Sequence, residues 1–263
     1  MNKPDLLITW HESADYPIAR EMLRRHRDFF GKIIIYWSQH FRYPIFSHFI
    51  QTQLHDLGNI TFLDPVNYEF GIQDWRNVAT NEMLRYSNSE WICSIEQDWF
   101  STDWNRLLDM TKTAMEKSDM CGWMSETAAP YIHPAFFFAK REIIERAGYD
   151  FTPHPEINGS DHFAAITWRA KELGAVVTGL PVGEVTDQSL AFHLGGVNQN
   201  YLEGLKPGYA FHRPEIFYVY NYWSRRAKIN KKFRDLCLDI DSILRPQFPS
   251  VYPHTSPWAD FFR

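Results

Sequence analysis

The segment Trp91-Ile92-Cys93-Ser94-Ile95-Glu96-Gln97-Asp98 runs through apolar residues into two carboxylates two positions apart. On an extended chain the side chains at i and i+2 point the same way, so the end of a buried strand here directs two anionic oxygens toward one ligand. A hard divalent ion such as Mg2+ or Mn2+, bound to phosphate oxygens, takes such ligands. Taken alone, the pattern is common and fits a solvated loop with chance acidic residues better. Upstream, Arg76-Asn77 stand near the start of a helical segment. Backbone N–H groups favour anions there, and an Arg adds a two-pronged phosphate donor. An ordinary polar helix face has the same residues. Downstream, Gly159-Ser160-Asp161-His162 precedes another helical segment, and Phe192-His193-Leu194-Gly195-Gly196 comes later. Asp161 or Ser160 is a ready helix cap, and His193, among apolar residues, also suits a core.

The elements that must position these residues alternate along the chain. Leu6–Trp10 reads as a strand and Pro17–Phe29 as a helix with apolar residues at helical spacing. Lys32–Ser38 is apolar and β-branched enough for a buried parallel strand. A helix over Tyr43–Leu57, a strand at Ile60–Leu63, a helix over Asp74–Tyr86 and a strand at Trp91–Ile95 follow. Four strand–helix units in the first hundred residues predict an α/β, doubly wound, mostly parallel sheet with ligands at the carboxyl ends of its strands. The second half predicts a helix over Asp103–Lys117, strands at Cys121–Ser125 and Ala135–Ala139, and a helix over Arg141–Ala147 closed by Gly148. The helix Phe163–Leu173 and the strand Ala175–Leu180 complete it.

The whole chain has 263 residues, 44% of them hydrophobic and 22% charged, which excludes disordered and fibrous classes. Ten Trp, 13 Tyr and 20 Phe exceed what a core alone calls for and suit clefts that hold ringed ligands. The net charge of -5 argues against a protein that coats nucleic acid all over. It is unevenly spread: residues 213–263 hold nine Lys/Arg against five Asp/Glu. Cys93, Cys121 and Cys237 form no paired motif, which points to a reducing compartment and no thiolate metal site. The apolar run at Leu6–Trp10 is too short for a signal peptide or a membrane span, so the expectation is a cytoplasmic protein without a transmembrane segment.

In order, the chain shows strand–helix–strand–helix, then W-R-N-x-A-x-N-x-x-L, then an apolar strand into E-x-D, then S-D-H before a helix, then a late His. This resembles the GT-A glycosyltransferases, particularly the family 2-like enzymes, over roughly residues 5–200. The resemblance implies a GT-A (Rossmann-like) fold and transfer of a sugar from a nucleotide-diphosphate sugar, a UDP-sugar first, to an acceptor hydroxyl. A single base opposite the leaving group gives inversion, and a retaining path stays open because sequence gives no distances. It makes Asp98 and His193 the metal ligands for Mn2+ or Mg2+ and Asp161 the catalytic base. Glu96 then faces the metal or the ribose. Thr9, Trp10, Asp64, Arg76 and Asn77 line the nucleotide site, with Trp10 a stacking candidate. Two departures stand out: Glu96 replaces the first Asp of D-x-D, and Asp161-His162 replaces the usual Glu-Asp. A Gly-rich phosphate loop, expected of a sugar nucleotidyltransferase, is missing after the first strand, where Trp10-His11-Glu12-Ser13 stand. A binding module that has kept the fold without catalysis is the non-enzyme alternative.

The expected division is a transferase domain over 1–212 and a basic, aromatic-rich, helical C-terminal extension over 213–263. Tyr218, Tyr220, Tyr222 and Trp223 precede Ser224–Arg234, which holds six Lys/Arg and no acidic residue. A solvated helix wrapping the domain explains this pattern. So does a site for an anionic acceptor, either a glycan or lipid-linked phosphate at a membrane surface or DNA carrying a hydroxymethylated base, whose phosphates the cations track while the aromatics stack on rings. A base acceptor has to be flipped into the cleft, as in phage-type DNA-base glycosyltransferases.

Overall fold

The computed structural model describes residues 2–11, 23–38, 54, 57–63, 75–96, 99–101, 103–125, 129–180, 182 and 191–193. The predicted extension 213–263, most of the predicted helix 43–57 and the first part of Pro17–Phe29 lie outside them. The described elements are β1 (Asp5–His11), β2 (Ile33–Ser38), β3 (Ile60–Leu63), α1 (Trp75–Leu84), β4 (Trp91–Ile95), β5 (Trp99–Ser101), α2 (Trp104–Met115), β6 (Met120–Met124), β7 (Ile132–Lys140), α3 (Arg141–Ala147), α4 (Ala164–Glu172), β8 (Val177–Leu180) and β9 (Ala191–His193). A 3-10 turn at Arg27–Phe29 leads into β2.

Seven strands form one sheet in the order β3-β2-β1-β4-β7-β6-β8. β1 pairs in parallel with β2 and with β4, and β2 with β3. The order reverses at β1, so a crevice opens between the carboxyl ends of β1 and β4, where such sheets take ligands. β7 runs antiparallel to both neighbours, β4 and β6. Its first residues therefore lie at the same sheet edge as the last residues of β4. The amide of Glu96 donates to the carbonyl of Ala135 at 3.2 Å, tying the two together.

Alternation along the strands fills both faces. Leu6, Ile8, Ile33, Ile35, Phe136 and Phe138 pack on the side of α2, with Leu107, Ala114 and Met115. Leu7, Ile34, Ile92 and Phe137 pack on the other side with Ala79 and Met83 of α1, Ile143 and Ile144 of α3 and Ile166 of α4. Strands buried on both faces read as unbroken apolar runs, which is why IIIYW and AFFFA were legible as strands. Each fully buried Phe contributes about 1.5–3 kcal/mol.

Helix ends follow local chemistry. Asp103 caps α2 by accepting from the Arg106 amide at 3.0 Å. Gly148, at φ 91°, closes α3. β6 and β7 shift register between Gly122 and Met124. A Cβ on Gly122 would stand 2.1 Å from the Phe136 carbonyl oxygen, so only glycine lets the two backbones approach there. Among the described residues, no helix is long and apolar enough to cross a membrane.

Candidate active site at the carboxyl edge of the sheet

β1 supplies the first wall. Leu7 pairs with Ser94, so the parallel register carried forward sets Thr9 level with Glu96. Trp10 belongs to β1 through its backbone, opposite Trp37 of β2. Its side chain lies outside the described residues, as does Asp64.

α1 comes next. Arg76, near its N-terminus, forms an ion pair with Glu96 at the end of β4, and their side chains are 17% and 13% exposed. Two opposite charges this sheltered hold one another in place. Asn77 clasps the chain instead of facing outward. Its Oδ1 accepts from the Phe151 amide at 3.0 Å and from Asn81 Nδ2 at 3.1 Å. Asn81 also donates to the Tyr149 carbonyl at 3.1 Å. α1 thereby fixes the start of the loop that carries Asp161.

Asp161 departs from a routine helix cap. The residue at the N-cap of α4 is Phe163, in a left-handed conformation at φ 69°, with no side-chain cap. Ser160 is not the cap either, because its hydroxyl accepts from the His154 amide and donates to the His154 carbonyl, each at 3.0 Å. The Asp161 side chain, 45% exposed, keeps its oxygens at the site. Oδ1 accepts from the His162 amide at 2.7 Å. Oδ2 stands 3.4 Å from His133 Nε2. The Asp161 amide donates to the Tyr131 hydroxyl at 2.8 Å.

The electrostatics favour a charged carboxylate. Burial pushes the Asp161 carboxyl up, but the His133 contact and the Arg76 charge outweigh it against Glu96 and hold it below the usual range. Burial and the Arg76 charge push His162 below its ordinary range, although the Asp161 charge pulls the other way, and the lowering favours the neutral ring. Burial raises the Tyr131 hydroxyl, with the Asp161 charge adding to the rise against its contact with the Asp161 amide, so it stays protonated. Arg76, Glu96, Asp161 and His162 thus form one electrostatic cluster.

A second, two-stranded sheet lies beyond the β4 end. β5 and β9 pair antiparallel with His193 opposite Trp99. Asp98 lies outside the described residues, and of His193 only the backbone is described. The chain neighbour of Asp98 is thus paired with the late histidine. Among the described residues there is no cluster of three or more His, Cys, Asp or Glu side chains able to hold a metal ion.

Tyr131 and His133 were not singled out from sequence. They stand at i and i+2 at the start of an apolar strand, so they share a face. That polar alternation ahead of AFFF was the available signal.

No family model and no curated protein sequence matches the chain. Among solved structures, the mannosyltransferase PcManGT from Pyrobaculum calidifontis, in complex with GDP-Man and Mn2+, is similar over 100% of this chain and 79% of its own. The TM-score is 0.52 at 13% identity. The fold is of the GT-A type. S. aureus TarS 1-349 in complex with UDP-GlcNAc aligns over 95% of this chain and 79% of its own, with a TM-score of 0.46 and 12% identity. 4-Diphosphocytidyl-2C-methyl-D-erythritol synthase aligns over 68% of this chain and 89% of its own, with a TM-score of 0.45 and 10% identity. At the carboxyl end of β4 the chain brings together Arg76, Glu96 and Asp161.

Proposed function

We propose that the protein is a nucleotide-sugar-dependent glycosyltransferase that uses Asp161 as its base and inverts the sugar it transfers. One observation carries this reading: the Asp161 carboxylate is half exposed, close to His133 and bonded to the His162 amide, while Phe163, which makes no side-chain cap, stands at the N-cap of α4. A structural cap has no need of that arrangement, whereas a base does. The acceptor hydroxyl loses its proton as its oxygen attacks the anomeric carbon, and the new C–O bond forms as the bond to the diphosphate breaks. Asp161 takes the proton, and the nucleoside diphosphate leaves with the electron pair on the opposite face. A single base acting on that face gives inversion.

The donor groups fit a divalent ion. Asp98 and His193 would hold it, since carboxylate oxygen and imidazole nitrogen both suit Mn2+, and the β5–β9 pairing sets His193 across from the residue after Asp98. Bound there, the ion would supply stabilisation of the negative charge that develops as the diphosphate leaves. Arg76 adds a fixed positive charge at the same edge, with Glu96 orienting its guanidinium. Thr9 and Trp10, at the end of β1, and Asp64 border the donor. The acceptor is a glycan or a hydroxymethylated base in DNA, the two chemistries that the basic, aromatic-rich residues 213–263 match, and the site of action is the cytoplasm.

The test is a screen of nucleotide sugars, UDP- and GDP-linked, with Mn2+ or Mg2+, following release of free nucleoside diphosphate. Metal-dependent release from at least one donor is expected. Absence of release from every donor, in folded protein, would remove the reading.

A further inference from the structure

We infer that His133 is a positioning residue that orients the Asp161 carboxylate through Nε2, in the tautomer that its contact with the Ala135 amide fixes. The inference rests on Asp161 being the base of the proposed transfer. His133 Nδ1 accepts from the Ala135 amide at 3.2 Å. A ring nitrogen that accepts carries no proton, so the neutral ring has its proton on Nε2. That nitrogen is the one 3.4 Å from Asp161 Oδ2, a long contact that a small rotation closes to a hydrogen bond. The ring itself is held. Its side chain is 12% exposed and packs on Trp123 at 4.1 Å between ring centres. Trp123 leans on Trp99 at 5.6 Å, and Trp99 stacks on Phe136 at 5.2 Å. Pro134 follows, restricting the His133 backbone to extended conformations.

The two carboxylate oxygens therefore have different work. Oδ1 is tied to the backbone through the His162 amide, and Oδ2 is steered from β7. Each oxygen has two lone pairs, which leaves room for an acceptor hydroxyl. The other groups facing Asp161 are Arg76 from α1, Glu96 from the end of β4, Tyr131 from the start of β7 and the neighbouring His162. With the His133 contact gone, only the Arg76 charge and the His162 amide oppose burial and the Glu96 charge, and the carboxylate binds its proton more readily.

The experiment follows the Asp161 carboxyl carbon by NMR in the full chain labelled at aspartate, as pH falls, in wild type, His133→Phe and His133→Gln. Phe keeps the packing on Trp123 and has no donor, while Gln can bring an amide N–H close to the Nε2 position. The Asp161 titration should move to higher pH in His133→Phe and return toward wild type in His133→Gln. With a donor that wild type turns over, kcat in His133→Phe should fall about tenfold at neutral pH, as expected for loss of an orienting partner, with KM little changed. An Asp161 titration that does not move in folded His133→Phe overturns the inference whatever the activity. If His133→Phe fails to fold, the ring nitrogen shifts of wild type decide, and a proton on Nδ1 overturns it. Failure of the underlying reading shows elsewhere, as transfer that survives Asp161→Asn.

Discussion

At the scale of residues, the Asp161 carboxylate is held below the usual carboxylate range, with burial opposed by His133 and Arg76. The sign is plain: a depressed acid is charged above its own pKa, so the carboxylate is charged throughout neutral pH and, as the proposed base, can take a proton there. kcat should stay level as pH falls from about 7 toward 5 and drop only below the ordinary aspartate range near 4. An acid limb close to pH ~6 would show that the carboxylate lacks these partners. The Arg76–Glu96 pair makes a second prediction. Removing one partner strands a sheltered charge, so Arg76→Ala should cost about 3 kcal/mol in urea unfolding. The double variant Arg76→Met with Glu96→Gln should cost less than Arg76→Ala alone. Equal losses would mean that the pair is solvated and does not brace the edge.

At the scale of elements, much was legible. Trp91–Ile95, Ile60–Leu63 and Arg141–Ala147 end where apolar runs and turn residues predict. Strand direction was not legible, because AFFFA buries both faces whichever way it runs. That is why His133 escaped notice: only an antiparallel β7 brings its first residues to the edge where β4 ends. β5 and β9, three residues each, are too short to show a period. The Ser160 and Asp161 cap readings failed because Phe163 takes the left-handed position, with its ring packed on Phe137 and Phe151, each at 4.8 Å. An aromatic side chain in that conformation is held by its surroundings. Gly122 stands at the β6–β7 register shift, beside Trp123, whose ring packs on His133. Gly122→Ala places a Cβ into the Phe136 carbonyl and should destabilise by about 3 kcal/mol, at the top of the range for overpacked cores. A loss below about 1 kcal/mol would contradict the close approach.

At the scale of the molecule, the sheet divides labour between two halves. The parallel strands β1–β4 build the crevice, and the antiparallel β7 brings Tyr131 and His133, the neighbours of Asp161, to its rim. The uneven charge suggests a further division that belongs to the acceptor. If residues 213–263 engage DNA, affinity for duplex DNA should fall steeply with salt and weaken when Arg225, Arg226, Lys231 and Lys232 are neutralised together. Absent or salt-independent binding, with transfer to glycans intact, leaves the glycan acceptor. The central claim concerns one carboxylate and one leaving group. The most direct measurement compares nucleoside diphosphate release from the active nucleotide sugar, with Mn2+, by wild type and by Asp161→Asn. The exchange preserves shape and removes basicity. Release should fall by a factor of about 10²–10⁴, the usual contribution of a general base, with donor binding and thermal stability retained. Release at the wild-type rate from folded Asp161→Asn would contradict the account.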